Sequence, residues 1–133
     1  MKILVIDGQG GQLGAQIIKA IKSNISDAQI TAVGTNSAAT LAMLKAGADS
    51  GATGENPVKV ACRSAQVIIG PIGIVIADSL CGEITPETAV AVGQANAVRI
   101  LVPMNKCENR VAGIRNISTN ALIDDVIAKL KDM

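Results

Sequence analysis

A glycine-rich segment near the start of the chain has the residues best suited to hold an anion. Its members are Gly8, Gln9, Gly10, Gly11 and Gln12. They follow an apolar run typical of a buried strand and precede a helical pattern. At such a turn, glycines allow close backbone approach, and the first N–H groups of the helix point at the anion. We predict that these five residues bind a nucleotide or another phosphorylated small molecule; the alternative is a tight turn only.

The spacing of the glycines limits the kind of ligand site. Gly8, Gly11 and Gly14 follow a G-x-x-G-x-x-G pattern, and Leu13 stands where the dinucleotide fingerprint G-x-G-x-x-G has its third glycine. No lysine follows Gly14 directly, which argues against the phosphate loop of nucleoside triphosphatases. The cofactor stays unassigned, with a nucleotide or an NAD(P)-like ligand left open.

A second polar turn follows the second predicted strand and consists of Gly34, Thr35, Asn36 and Ser37. Its hydroxyl and N–H groups form a second predicted cradle for the ligand, and the alternative is an ordinary helix N-cap. A conventional NAD site has an acidic residue at this place for the ribose hydroxyls. This turn has none, which weakens that assignment.

Few side chains are candidates for chemistry. Asp7, at the end of the first strand, and Asp78 are candidates for a general acid or base, with capping as the alternative. Glu83, which like Asp78 borders an apolar region, is predicted either to line a pocket or to cap a helix end. Asn105 and Lys106 follow the fourth predicted strand, and the lysine is a candidate for contacting a ligand phosphate, with a solvated loop lysine as the alternative. No nucleophile has an identifiable partner base, and no metal site is predicted.

The composition excludes several classes of function. The 133 residues include no Phe, Tyr, Trp or His, which excludes Ser-His and Cys-His catalysis and aromatic stacking on bases. A net charge of +1 argues against nucleic acid as a partner. The three cysteines lack C-x-x-C spacing and are predicted to be reduced and mostly buried. No apolar run is long enough for a membrane span, so we expect a cytoplasmic protein.

Strand and helix patterns alternate along the chain. Apolar runs predict strands at 2–6, 29–33, 66–69 and 99–102, with a short fifth at 111–114. Helices are predicted from Leu13, after Ser37, from an Asn56 cap, from Thr85, and around Leu122 to Leu130. Residues 49–55 are predicted to be a loop, and 72–80 a buried helix rather than a strand. This order predicts a single α/β domain over residues 1–133, a three-layer Rossmann-like sandwich on a mostly parallel sheet of about five strands.

Several segments resemble a family of small bacterial proteins known as a domain of unknown function. The segments are 6–11, 32–36, 51–56, 70–80, 82–86 and 103–107, including the run Gly70-Pro71-Ile72-Gly73-Ile74-Val75-Ile76-Ala77-Asp78-Ser79-Leu80. The resemblance implies a stand-alone bacterial cytoplasmic protein with a Rossmann-like core. It implies no activity and no catalytic residue.

Three functions stay open on the sequence. The first is a binder of a nucleotide or phosphorylated metabolite, and the second is an enzyme that acts on such a metabolite with carboxylate acid/base groups. The third is a non-catalytic oligomeric regulatory module. The apolar region from Val67 to Leu80 and a mean hydropathy of +0.41 predict apolar surface and therefore a homo-oligomer.

Overall fold

The computed structural model describes residues 1–104 and 108–133, and its strands and helices alternate along the chain. The strands are β1 (Lys2–Asp7), β2 (Gln29–Gly34), β3 (Ser50–Thr53), β4 (Val67–Pro71) and β5 (Val98–Val102). The helices are α1 (Gln12–Asn24), α2 (Ser37–Lys45), α3 (Glu55–Cys62), α4 (Pro86–Gln94) and α5 (Thr119–Lys131), and a single 3₁₀ turn spans Ile72–Val75. No helix within these described residues is long and apolar enough to cross a membrane.

The described strands form one parallel sheet in the order β3-β2-β1-β4-β5. Because every pairing is parallel, the strands all end at the same edge of the sheet. We call this edge the carboxyl edge. The chain crosses from β3 at one border back to β4, so the strand order reverses beside β1. This arrangement confirms the predicted α/β fold with a parallel sheet and helices on both faces.

Alternating side chains of β1 enter two separate cores, which explains why its sequence is continuously apolar. Ile3 and Val5 belong to the core beneath α1, α2 and α5. Leu4 and Ile6 belong to the core beneath α3 and α4. The sheet is therefore buried on both faces at its centre, which holds the end of β1 in a fixed place.

Several predicted local signals are confirmed. The apolar stripes of α1 and α5 are buried or half-buried, and Thr85 caps α4, with Pro86 as its first residue. Beyond the C-terminus of α2, Gly47 has a φ of 117°, in the positive range that glycine adopts most readily.

Two strand predictions are wrong, although the predicted number of strands agrees with the described sheet. The segment predicted as a loop contains β3, which pairs with β2. Its sequence Ser-Gly-Ala-Thr has no large apolar residue because it lies at a border of the sheet and is mostly exposed. Residues 111–114 form a turn instead of a strand, with Gly113 at a φ of 85°.

Two helix predictions also need correction. Helix α3 begins at Glu55 with Gly54 at its N-cap position, so Asn56 and Pro57 lie inside the first turn. A proline is tolerated there because N–H groups of the first turn lack helical partners. Residues 72–80 are not a continuous helix, because the 3₁₀ turn is followed by left-handed residues such as Asp78 and Leu80.

The close approach of β4 to β1 leads to a test with two glycine substitutions. A Cβ at Gly70 would collide with the carbonyl oxygen of Ile6, whereas a Cβ at Gly93 in α4 would meet no atom within 4 Å. We expect Gly70→Ala to lower the free energy of unfolding by about 2 kcal/mol or more. Gly93→Ala should raise it by about 0.5 kcal/mol. Urea unfolding measures both, and equal stability of the two variants would contradict this packing.

Candidate functional site

The glycine loop, residues 8–11, joins β1 to α1 at the carboxyl edge. Its turn is closed by the N–H of Gly11, which donates to the carbonyl of Gly8 at 2.9 Å. Gly11 has a φ of 73°, and a Cβ on it would lie 2.7 Å from the Cα of Ala39. The loop therefore packs directly on the first turn of α2 and requires glycine at this position.

Asp7 holds the two ends of the loop together. Its carboxylate is 4% exposed; one oxygen accepts the N–H of Gly8 at 2.8 Å and the other accepts the N–H of Gly14 at 2.7 Å. Burial raises the pKa of Asp7 above its usual value, and the negative charge of Glu83 adds to this, while the two N–H bonds oppose it. Both oxygens are engaged in the loop, so the role of Asp7 as a general acid or base stays a prediction.

Three N–H groups in the glycine loop and the first turn of α1 have no hydrogen-bond acceptor. The N–H of Gly14 goes to Asp7, and the N–H of Ala15 goes to the carbonyl of Gly11. Among the described residues, the N–H groups of Gly10, Gln12 and Leu13 have no acceptor. Together with the positive end of the α1 dipole, they form the open donor group of the loop.

The turn after β2 lies against the glycine loop, as its place at the same edge predicts. The N–H of Thr35 donates to the carbonyl of Asp7 at 3.0 Å, and the amide of Asn36 donates to the carbonyl of Gln9 at 2.9 Å. The Oδ1 atom of Asn36 also accepts the N–H of Ala39, which makes Asn36 the N-cap of α2. Thus the structure brings the two predicted ligand turns into direct contact.

The N-terminus of α2 is already satisfied in part by its own chain. The N–H of Gly34 donates to the hydroxyl of Thr40 at 3.2 Å, and Asn36 caps the helix. Ser37 is the exposed first residue of α2. Among the described residues, the N–H groups of Asn36, Ser37 and Ala38 have no acceptor, so the start of α2 leaves as many backbone donors free as the start of α1.

Glu83 contacts both predicted ligand turns, a placement that the sequence prediction of a pocket-lining or capping residue did not include. Its Oε1 atom accepts the N–H of Gln9 at 2.9 Å, the hydroxyl of Thr35 at 2.6 Å and the amide of Asn36 at 2.8 Å. Burial raises the pKa of Glu83, but these three hydrogen bonds outweigh it and hold the pKa below its usual value. An ionised carboxylate thus joins both predicted ligand turns.

Glu83 belongs to the segment 76–85, which we call the crossover loop because it leads from the 3₁₀ turn to α4. Asp78, Leu80 and Cys81 have φ values of 66°, 54° and 57°, and Gly82 has 86°. Left-handed backbone costs a non-glycine residue roughly 1 kcal/mol. Burial of the Leu80 side chain, which is 2% exposed, offsets part of this cost.

The crossover loop is also fixed internally and against the glycine loop. The N–H of Asp78 donates to the carbonyl of Ile84 at 2.7 Å, and the N–H of Ile84 donates to the carbonyl of Ser79 at 3.2 Å. A Cβ on Gly8 would lie 3.1 Å from the Cδ1 of Leu80. These contacts place Glu83 beside the glycine loop.

The remaining candidates are less well placed. Asp78 is exposed, and neither Asp7 nor Asp78 lines the cavity of about 500 Å³ beneath α3 or the one of about 280 Å³ between β5 and α5. Asn105 and Lys106 lie outside the described residues, so the lysine contact stays a prediction. Of the described cysteines, Cys62 is buried and Cys81 is exposed, which corrects the expectation of mostly buried thiols in part.

The opposite pKa directions of the two carboxyl groups are measurable. Carbon-detected NMR titration should find the pKa of Glu83 below, and the pKa of Asp7 above, that of an unperturbed carboxyl group of the same type. Glu83→Gln removes a neighbouring negative charge and should bring the pKa of Asp7 down. A Glu83 that titrates above its usual value would contradict the three hydrogen bonds.

The same shifts fix the sign of two contributions to the free energy of unfolding. For Glu83 the ionised carboxylate favours the folded state. This stabilisation is present above about pH 4.3 and is lost as the pH falls through the folded pKa of Glu83. For Asp7 the protonated carboxyl favours the folded state. This stabilisation is present below about pH 3.9 and is lost as the pH rises through the folded pKa of Asp7.

Comparisons with known proteins address the family and the fold. No curated protein matches the chain. Among solved structures, the chain is similar to the crystal structure of a dodecameric FMN-dependent UbiX-like decarboxylase from Escherichia coli. The two share 14% identity with a TM-score of 0.47 over 99% of this chain and 92% of that chain. A similarity at this level carries no inference about function.

The family comparison confirms the resemblance found in the sequence. A family model described as a domain of unknown function, DUF3842, matches residues 2–133. The chain therefore belongs to the DUF3842 family.

Proposed function

We propose that the protein binds a nucleotide, or another phosphorylated small molecule, at the glycine loop. The observation that carries the proposal is the open donor group of Gly10, Gln12 and Leu13, whose N–H groups have no acceptor among the described residues. Backbone N–H groups at a helix N-terminus stabilise phosphate by hydrogen bonds and by the helix dipole. Here they lie beside a turn whose shape is already fixed by Asp7.

The position of the loop in the sheet supports this proposal. In open α/β sheets, ligands bind outside the carboxyl ends of the strands where the strand order reverses. In the order β3-β2-β1-β4-β5 that place is the end of β1, which continues directly into Gly8. The turn at Thr35 and Asn36 would then flank the ligand from the end of β2.

The charges around the loop favour one kind of phosphate. Asp7 and Glu83 both lie at the loop, and two nearby carboxylates repel a doubly charged phosphate monoester more than a singly charged diester. The pyrophosphate of a dinucleotide also carries two charges, but it spreads them over two phosphorus atoms, so we expect it to be repelled less at the loop than a sugar phosphate or free phosphate.

Two other functions stay open. An enzyme would use Asp7 or Asp78 as acid or base, but neither residue lines the cavity beneath α3 or the one between β5 and α5. In a non-catalytic module the glycines would serve only to form the turn. The N–H groups that donate to Asp7 and Glu83 fit this alternative, because their role in the loop is structural. Binding of a ligand at the loop would distinguish the proposed function from a non-catalytic module whose glycines only form the turn.

A homo-oligomer in the cytoplasm also stays a prediction. The apolar region from Val67 to Leu80, from which it was expected, is mostly buried within the protomer and supplies little apolar surface. The exposed side chains Leu41, Val60 and Val90, which are 52%, 47% and 51% exposed, support an association between copies. The cavity of about 500 Å³ beneath α3 adds apolar surface on the same face as Val60.

Substitutions of Gly10 test the proposed binding without disturbing the fold. A Cβ there would meet only the Cγ of Gln12 at 3.9 Å, so Gly10→Ala and Gly10→Asp should both fold normally. We expect calorimetry to detect NAD or FAD binding to the original protein and to Gly10→Ala. The charge in Gly10→Asp should weaken binding by about tenfold or more, equivalent to about 1.4 kcal/mol.

Ribose 5-phosphate and inorganic phosphate serve as comparison ligands and should bind more weakly than the dinucleotides. The proposed function fails if none of these compounds binds the original protein. It also fails if Gly10→Asp binds as tightly as Gly10→Ala.

A further inference from the structure

We propose that Glu83 recognises the hydroxyl groups of a ribose, so that the site selects nucleotides with an unphosphorylated 2′,3′-diol. This inference rests on the proposed function and names the ligand feature that the same site reads. It assigns a specificity role to a residue of the crossover loop.

The first argument is the position of the carboxylate. In dinucleotide-binding sheets, an acidic residue at the end of the second strand holds the ribose hydroxyls. In this chain the end of β2 has no acid, but Glu83 reaches it from the crossover loop and bonds to Thr35 and Asn36. The same oxygen accepts the N–H of Gln9, so the carboxylate lies between that strand end and the glycine loop.

The second argument is that the other carboxylate oxygen of Glu83, Oε2, is free of these contacts. All three hydrogen bonds end on Oε1, and Oε2 takes part in none of them. In the described part of the chain, no buried side-chain oxygen lacks a hydrogen-bond partner, so Oε2 is in contact with solvent. A half-buried carboxylate with one fixed and one accessible oxygen is suited to accept a hydrogen bond from a hydroxyl group.

The third argument is charge. The hydrogen bonds that lower the pKa of Glu83 keep it ionised at neutral pH. Its partners among the described residues are neutral donors, so no described cation compensates its charge. A ribose hydroxyl donates to such a group, whereas a 2′-phosphate would be repelled by it.

The fourth argument is preorganisation. Leu80 is buried, and the bonds between Asp78, Ser79 and Ile84 close the crossover loop on itself. Since the loop already holds Glu83 in place, little side-chain freedom is lost when a hydroxyl binds.

The test compares NAD with NADP, which differ by the 2′-phosphate, and ADP with 2′-deoxy-ADP, which differ by the hydroxyl. Calorimetry on the original protein should give at least about tenfold tighter binding of NAD than of NADP. Removal of the 2′-hydroxyl should weaken ADP binding by about threefold to tenfold, in line with about 1 kcal/mol for one hydrogen bond. Glu83→Gln should reduce the NAD preference to less than about threefold.

Glu87→Gln is the matched control, because Glu87 is an exposed acid on α4 and should leave the preference unchanged. Equal binding of NAD and NADP to the original protein would overturn the inference and leave the proposed function intact. No binding of any of the four nucleotides would overturn the inference, and it would overturn the proposed function as well if ribose 5-phosphate and inorganic phosphate also fail to bind. The comparison on the original protein decides the matter even if Glu83→Gln fails to fold.

Discussion

The connection from β1 to α1 depends on one buried charge, the carboxylate of Asp7. Each of its oxygens accepts a peptide N–H, one from Gly8 and one from Gly14. These bonds offset the cost of removing a carboxylate from water and fix both ends of the glycine loop. The loop therefore has a defined shape without a ligand, and that shape leaves the N–H groups of Gly10, Gln12 and Leu13 available. The proposed function rests on this difference between the N–H groups that Asp7 accepts and those that are available to a ligand.

A second carboxylate gives the site its selectivity in this account. Asp7 and Glu83 lie on the same loop, but burial dominates at Asp7 and hydrogen bonding dominates at Glu83, so their pKa values move in opposite directions. One group is enclosed and structural, while the other keeps an accessible oxygen at the end of β2. The end of β2 has no acidic residue, and Glu83 from a distant segment takes that place. The crossover loop that brings Glu83 there contains left-handed residues, whose backbone conformation costs free energy.

Local patterns in the sequence predicted the elements that depend on local physics. The central strands are continuously apolar because both faces are buried, and α5 shows its stripe because one face packs on the sheet. Strand β3 was missed because a short border strand needs no large apolar side chain. The contact of Glu83 with the ligand turns was missed because it joins Glu83 to Gln9 across 74 positions of sequence. It also depends on left-handed backbone at Asp78, Leu80 and Cys81, which non-glycine residues rarely adopt. Such a contact has no local signature.

The most direct test of the central claim is an amide NMR titration of the protein with NAD. The account predicts that the ¹⁵N–¹H signals of Gly10, Gln12 and Leu13 shift most, since their N–H groups would donate to the pyrophosphate. The signal of Gly14 should move less, because its N–H stays bonded to Asp7. Saturable shifts confined to another surface, such as the cavity beneath α3, or no shift at these three residues, would contradict the account.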